Sequence, residues 1–341
     1  MEPGPPFDLS DPRWLAHRYV EDTDAFRFLY LPREDHGAVP FLTDDCLGPR
    51  PTGPDVPCAD VLSACADGPL HFIFHSAFCG STLLTRALSH PGAAMGLSEP
   101  VVLNDMVGFR LRGAAPAATA RAAHAALRLL GRPFEAGEAV IVKPSNLLNG
   151  FAELFMALQP QARAVFLHAP LETFLVSVVR KGLACRLWVR ELAEGFARQG
   201  LLAPLGLEPG DLLRQADLQV AATGWLAQQW LFAELGAKLG ASRLASLDAD
   251  RMTARPAEAL GAVSDHLGLA IGATAAESIA AGALFRRHSK SGAAFDVAAR
   301  SREYAEAREA YGEEIDAVLQ WGAKVADNAG IALTAPLPLL A

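Results

Sequence analysis

The chain has 341 residues, 51% of them hydrophobic and 20% charged, with a formal net charge of −8. That balance excludes a disordered chain and leaves enough apolar material for one large domain or two modest ones. The acidic excess argues against a global nucleic-acid surface, which needs a basic face, so an anionic ligand must find its positive charge locally.

In chain order, residues 1–68 read as an irregular lead-in that packs on the core. Proline and glycine recur, and Phe26-Arg-Phe-Leu-Tyr-Leu31 alternates like an edge strand or hairpin arm. Val39-Pro-Phe-Leu42 is the other strongly apolar piece. Residues 69–270 alternate strand-like and helix-like runs. The strand candidates are His71–His75, Ala139–Lys143, Arg163–His168 and Arg243–Leu247, each short and apolar. Helical runs are expected near 80–90, 116–130, 147–158, 171–181 and 212–239. This alternation predicts an α/β three-layer fold with a central, mainly parallel sheet flanked by helices. Ligands of such folds bind at the carboxyl ends of the strands, which puts His75–Gly80, Lys143-Pro-Ser-Asn146 and His168-Ala-Pro170 on one rim. Residues 271–341 read as a helical extension with a basic loop, Arg286-Arg-His-Ser-Lys-Ser-Gly292, followed by an amphipathic helix over 301–325.

The run from His71 to Leu88 carries the most information. An apolar strand breaks into small residues, and Gly80-Ser81-Thr82 then opens a helical segment. Strand, small-residue loop, helix is the architecture of a phosphate cradle, because unpaired N–H groups and the helix dipole both favour an anion there. Gly80 permits close backbone approach, and Ser81 and Thr82 add hydroxyl donors. A Walker A loop carries lysine just before its Ser or Thr; here that position is Ser81, which weakens a kinase or NTPase reading.

This arrangement resembles the sulfotransferase branch of the P-loop superfamily. Phe78-Cys-Gly-Ser-Thr-Leu-Leu84 matches the G-[ST]-T-x-L part of the loop that grips the donor 3′-phosphoadenosine 5′-phosphosulfate, and Thr85–Pro91 looks like the helix that follows. The resemblance implies donor contacts at Ser76, Phe78, Cys79, Gly80, Ser81, Thr82 and Leu83. Gly96-Leu-Ser-Glu-Pro100 falls where protein-tyrosine sulfotransferases place a catalytic glutamate, which implies that role for Glu99. Lys143 matches a strand-end lysine that opens a K-T-H triplet and would stabilise the leaving phosphate. Phe166-Leu-His-Ala-Pro170 with Ser177 looks like the R-x-P…S element that holds the 3′-phosphate, so His168 and Ser177 are implied there. Arg287 and Lys290 fall on a late basic loop that closes over the same phosphate. Trp225, Ser242–Leu247 and His266-Leu-Gly-Leu269 resemble the family's closing pattern. The likeness spans about residues 70–270.

Four positions depart from the pattern. Phe78 stands for the basic residue of the cradle, His168 for the arginine of R-x-P, and Ser145 for the histidine of K-T-H. Ser177 comes one residue late, a helical rotation of about 100°.

The resemblance implies sulfuryl transfer to a hydroxyl or amine of an unidentified acceptor, with Glu99 as base. A non-catalytic nucleotide-binding module on the same fold is the rival. A P-loop kinase or NTPase is a weaker one, its best acidic metal-side candidate being Leu247-Asp248. Arg86 reads as exposed. Cys79, beside a helix N-terminus, is a minor candidate nucleophile with a lowered thiol pKa and His75 as its base. Five cysteines without a C-x-x-C pair argue against a disulfide framework, and no His, Cys, Asp or Glu pair has metal-ligand spacing, so no metal is expected. No run reaches the roughly 18 apolar residues of a membrane span. The first residues lack the regions of a secretory signal, and a cytoplasmic location is expected.

Overall fold

The computed structural model describes residues 5–286 and 297–340. The chain opens on an antiparallel hairpin, β1 (Trp14–Val20) and β2 (Ala25–Tyr30), and the short β3 (Val56–Pro57) pairs with β2. Two short helices, α1 (Arg33–Ala38) and α2 (Asp44–Leu47), lie between β2 and β3. The sequence signals only the β2 arm. Its partner β1 is buried at almost every position, so it lacks the period-two alternation that marks a half-exposed strand.

After α3 (Cys58–Ala64) come the strands β4 (Leu70–His75), β5 (Ala94–Ser98), β6 (Ala139–Lys143), β7 (Ala164–His168) and β8 (Leu244–Asp248). They form one all-parallel sheet in the order β5-β6-β4-β7-β8. The strands expected at 71–75, 139–143 and 163–168 are thus its three adjacent central members. The helices between and after them are α4 (Ser81–Leu88), α5 (Val101–Leu111), α6 (Pro116–Leu130), α7 (Ala152–Leu158), α8 (Leu171–Arg180), α9 (Gly182–Arg198) and α10 (Asp217–Leu239). The chain continues with α11 (Ala249–Ala254), α12 (Pro256–Leu267), α13 (Ala273–Ala281), α14 (Val297–Ala310) and α15 (Gly312–Ala329). The result is a P-loop-type α/β fold, a parallel sheet flanked by helices.

Phe72 and Phe74, two residues apart on β4, share one face of the sheet. Their rings meet Phe155 of α7 and Phe232 of α10 at 5.8 and 5.4 Å, and Phe232 stacks on Phe166 of β7 at 4.0 Å. The chain goes to one side of β4 for β5 and β6, and to the other for β7 and β8. The crevice at this switch opens at the carboxyl end of β4.

Strand β5 escaped sequence reading because Ala94-Met-Gly-Leu-Ser98 has little β-propensity. Gly96 is there for packing: a Cβ on it would lie 2.6 Å from the Thr85 carbonyl oxygen, so α4 rests directly on the strand backbone. The helix expected near 212–239 begins at Asp217, after a 3₁₀ turn over Pro209–Arg214. The amphipathic run at 301–325 falls on two helices, α14 and α15, broken at Tyr311.

The hairpin is tied to the core. Asp105 of α5 accepts from the Arg18 guanidinium at 2.8 and 2.9 Å and from the Tyr19 amide at 2.8 Å. His36 is buried edge-on to Phe134 at 5.4 Å, and burial pushes its pKa down to about 4; burial does the same to His71 of β4. Both histidines are ordinary bases in the unfolded chain, so that state takes up protons first as pH falls from 6.5. Their contribution to stability is complete above pH 6.5 and is lost as pH falls toward 4. Unfolding free energies from urea titrations should be flat near neutrality and then fall, by at most about 1.4 kcal/mol per pH unit for each histidine. His36→Leu should make that fall shallower.

Candidate functional site

β4 ends at His75, and five residues lead to the first turn of α4. In this loop Ala77, Phe78 and Gly80 have φ of +72°, +52° and +79°. Left-handed backbone is ordinary for glycine but costs other residues of order 1–3 kcal/mol. Among the described residues five non-glycines have positive φ: Asp24, Ala77, Phe78, Glu99 and Leu337. Three of them, Ala77, Phe78 and Glu99, border a single cavity of about 240 Å³, so the strain collects in one place.

The surroundings hold the loop in this shape. The Ser76 amide donates to the Leu167 carbonyl at 3.1 Å, and the Ser76 hydroxyl accepts from the Ala169 amide at 3.1 Å. The Ala77 amide donates to Nδ1 of His75 at 3.2 Å. Helix α4 then starts at Ser81 with no side-chain cap, and Ser81 and Thr82 line the cavity. The first-turn N–H groups have no partner within any helix, and that of Ser81 is directed at the buried Cys79 sulfur.

Glu99 forms a second wall. It follows β5 with φ +50°, and its amide donates to the Lys143 carbonyl at 2.7 Å. Leu42 of the N-terminal segment brackets it: the Leu42 amide donates to the Ser98 carbonyl at 2.8 Å, and the Leu42 carbonyl accepts from the Val101 amide at 3.1 Å. The Glu99 carboxylate pairs with the Lys143 ammonium. Lys143 is 1% exposed and lies 4.9 Å from the Phe41 ring, whereas Glu99 is 19% exposed and opens into the cavity. Phe41, Phe78 and Trp188 give the cavity an aromatic lining, and Ser145 and Asn146 complete its rim. Asn146 falls on the rim expected from sequence, but neither Phe41 nor Trp188 is singled out there. Phe41 lay in a noted apolar run, but nothing in that run says which distant strand end it covers.

His75 is fixed in one tautomer. Nδ1 accepts from an amide, so Nε2 carries the hydrogen and donates to the Pro144 carbonyl at 3.1 Å, with Glu99 Oε1 4.0 Å away. Neutral His75 is thus a donor toward the site, which conflicts with its suggested part as a base for Cys79.

Several expected residues lie elsewhere. Cys79 is buried, and burial raises its thiol pKa despite the adjacent helix N-terminus. Desolvation of the thiolate outweighs the dipole there, so the expected activation is corrected. Leu83 is half-buried on α4, and Ser76 is wholly buried as a strut. Ser177 is buried, and its hydroxyl bonds that of Tyr304 from α14. His168 is buried opposite Asp248 in the β7–β8 register, and burial lowers its pKa. Arg86, expected to be exposed, is half-buried and donates to the Val39 carbonyl at 2.8 Å. Arg287, His288 and Lys290 lie outside the described residues.

No helix among the described residues is long and apolar enough to cross a membrane. Among the same residues, no group of three or more His, Cys, Asp or Glu side chains is placed to hold a metal ion.

No protein-family model matches this sequence, and no curated protein sequence matches it significantly. Solved structures similar to it are sulfotransferases. One from Mycobacterium avium is 13% identical, over 74% of this chain and 79% of that one, with a TM-score of 0.46. One from Mycobacterium tuberculosis H37Rv is 14% identical, over 73% and 79%, with a TM-score of 0.40. The sulfotransferase domain of the curacin biosynthetic pathway is 16% identical, over 61% and 76%, with a TM-score of 0.39. Likenesses this distant transfer no residue roles.

Two outcomes follow from the geometry. Gly80→Val forces a β-branched residue into φ +79° with its Cβ 2.9 Å from Met252 Cε. Adenosine 3′,5′-bisphosphate binding, read by calorimetry, should weaken at least tenfold in a variant whose circular dichroism is unchanged, and more than for Thr82→Ala. Cys79 should resist thiol reagents at pH 8 in the native protein and react only in denaturant, with labelling mapped by mass spectrometry.

Proposed function

We propose that the chain is a sulfotransferase that moves a sulfuryl group from 3′-phosphoadenosine 5′-phosphosulfate to a hydroxyl or amine. The observation that carries this reading is the Glu99 carboxylate, which pairs with the buried Lys143 ammonium and opens into the same cavity as an uncapped helix N-terminus under a strained loop. The residues fit such a donor. The first-turn amides and the hydroxyls of Ser81 and Thr82 suit the 5′-phosphosulfate, and Gly80 keeps the approach open. The donor supplies the activated sulfur–oxygen bond.

Glu99 takes the proton of the acceptor as the acceptor's oxygen or nitrogen bonds to sulfur. The bond from sulfur to the bridging phosphate oxygen breaks, and Lys143 stabilises the charge left on that oxygen. An anion in the cradle would compete with Glu99 for the Lys143 ammonium. Arg287 and Lys290 belong to this proposal as closing residues over the 3′-phosphate, and so does a cytoplasmic location.

A non-catalytic nucleotide-binding module remains the second reading. It is favoured by Ser177, whose hydroxyl is taken by Tyr304, and by His168, which burial keeps neutral. In the weaker kinase or NTPase reading, the acidic candidate Asp248 already has one oxygen, Oδ1, engaged in capping α11, where it accepts from the amides of Asp250 and Arg251 at 2.8 and 3.1 Å.

Calorimetry with adenosine 3′,5′-bisphosphate against ATP–Mg²⁺ tests the proposal: binding of the bisphosphate alone supports it, and binding of ATP alone removes it. Sulfuryl transfer to a panel of phenols, alcohols and amines then separates enzyme from module. Glu99→Gln should lower the rate about 10²–10⁴-fold, the usual loss for a general base, and leave bisphosphate affinity within about threefold. An unchanged rate would remove Glu99 as the base.

A further inference from the structure

Asn146 lines the cavity and is only 3% exposed, and its amide nitrogen is sealed from solvent with no hydrogen-bond partner among the described residues. Of the described residues with an orphaned buried side-chain atom, Asn146 alone lines this cavity. A buried amide in that state costs stability, because it has given up water and received nothing in return. The position is therefore a poor one for asparagine in the empty protein, and a good one where a ligand completes its hydrogen bonds.

Asn146 opens a 3₁₀ turn, Asn146–Phe151, just beyond the end of β6 at Lys143. The approach to the turn is held from two strands. The Lys143 carbonyl accepts from the Glu99 amide at 2.7 Å, and the Pro144 carbonyl accepts from His75 Nε2 at 3.1 Å. Inside the turn, Asn149 Nδ2 donates to the His75 carbonyl at 3.0 Å and to Gln228 Oε1 at 2.8 Å. Residues three apart on a 3₁₀ turn share a face, so Asn146 and Asn149 lie on the same side of it. The Asn149 nitrogen is used there to hold the turn against β4. The Asn146 nitrogen has no such duty.

We infer that Asn146 binds the reacting group of the acceptor, and that this group is a hydroxyl or a primary amine, not a secondary amine. The Lys143 carbonyl is tied to the Glu99 amide, so Asn146 stands on the wall of the cavity that carries the proposed base. A half-turn of the terminal torsion exchanges the two ends of a carboxamide, which can present either an N–H or an oxygen. A hydroxyl has one hydrogen and two lone pairs. Its proton passes to Glu99, one pair forms the bond to sulfur as the bond from sulfur to the bridging phosphate oxygen breaks, and the second pair accepts from the Asn146 N–H. A primary amine has two hydrogens and one pair. One proton passes to Glu99, the other hydrogen is donated to the Asn146 oxygen, and the pair attacks sulfur. A secondary amine has one hydrogen, spent on Glu99, and leaves Asn146 unpaired. The acceptor assignment rests on the sulfotransferase reading above.

The test uses the full chain and Asn146→Leu, which removes both polar ends of the side chain and keeps a branched shape. Without ligand, the thermal midpoint of the variant should equal or exceed that of the parent, because an unpaired buried amide gives way to an apolar group. Sulfuryl transfer to a phenol and to benzylamine should slow about 3–10-fold, the usual range for losing a neutral hydrogen bond, while adenosine 3′,5′-bisphosphate affinity by calorimetry stays within about twofold. The parent should prefer benzylamine to N-methylbenzylamine, and Asn146→Leu should lose that preference. Asn146→Ala carries the same rate comparison if the leucine variant fails to fold. A lowered midpoint in Asn146→Leu makes the carboxamide a structural group, and weakened bisphosphate binding turns it toward the donor. Either result, or an unchanged transfer rate, overturns the inference and leaves the sulfotransferase reading standing. A parent that binds the bisphosphate but transfers to no phenol or amine overturns both.

Discussion

The site depends on how one buried ammonium is neutralised. Lys143 ends a central strand and is 1% exposed. A lysine in that position must lose its proton or acquire a carboxylate, because desolvating an unpaired charge is prohibitive. Glu99 is the carboxylate, and much of the local structure serves to place it. Its backbone takes a left-handed conformation, its amide is tied to the carbonyl of the residue it neutralises, and Leu42 brackets it on both sides. Removing one member of a buried pair costs about 3–5 kcal/mol, and somewhat less here because Glu99 is 19% exposed. The pair is therefore a structural bond whose carboxylate end reaches the cavity that also holds the uncapped end of α4.

The same bracket changes the standing of the first 68 residues. Sequence alone suggests a lead-in laid over a finished core. In the folded chain, Phe41 lies beside the Lys143 ammonium and Leu42 fixes the turn that carries Glu99. The hairpin before them is anchored on α5, the helix that leaves the same turn. The segment thus reaches the chemistry through the backbone at Ser98–Val101, although it contributes little polar surface to the cavity.

Legibility followed the kind of physics involved. The central strands were plain because a strand covered on both faces needs a short apolar run, and those at 71–75, 139–143 and 163–168 have one. The strand-to-helix junction was plain because Gly80-Ser81-Thr82 after an apolar run is a local signal. β1 and β5 were not, since one is buried at most of its positions and the other is built of small residues to admit α4. Lys143 and Glu99 were each singled out, yet their pairing was not, because two strand ends 44 residues apart are brought together only by the sheet register. The turning of Ser177 toward Tyr304 and the burial of Cys79 are likewise tertiary outcomes that no local motif contains. The tautomer of His75 also lies beyond sequence, since it is decided by one amide two residues along the chain.

Gly96 has a mechanical consequence. With the Thr85 carbonyl and methyl both against Gly96, α4 and the strand that leads to Glu99 meet at the strand backbone. Backbone contacts of this kind do not repack. The separation between the first turn of α4 and the turn that carries Glu99 is therefore set by backbone contact rather than by a rotamer. On the reading proposed above, the spacing between donor and base would be the same for every acceptor.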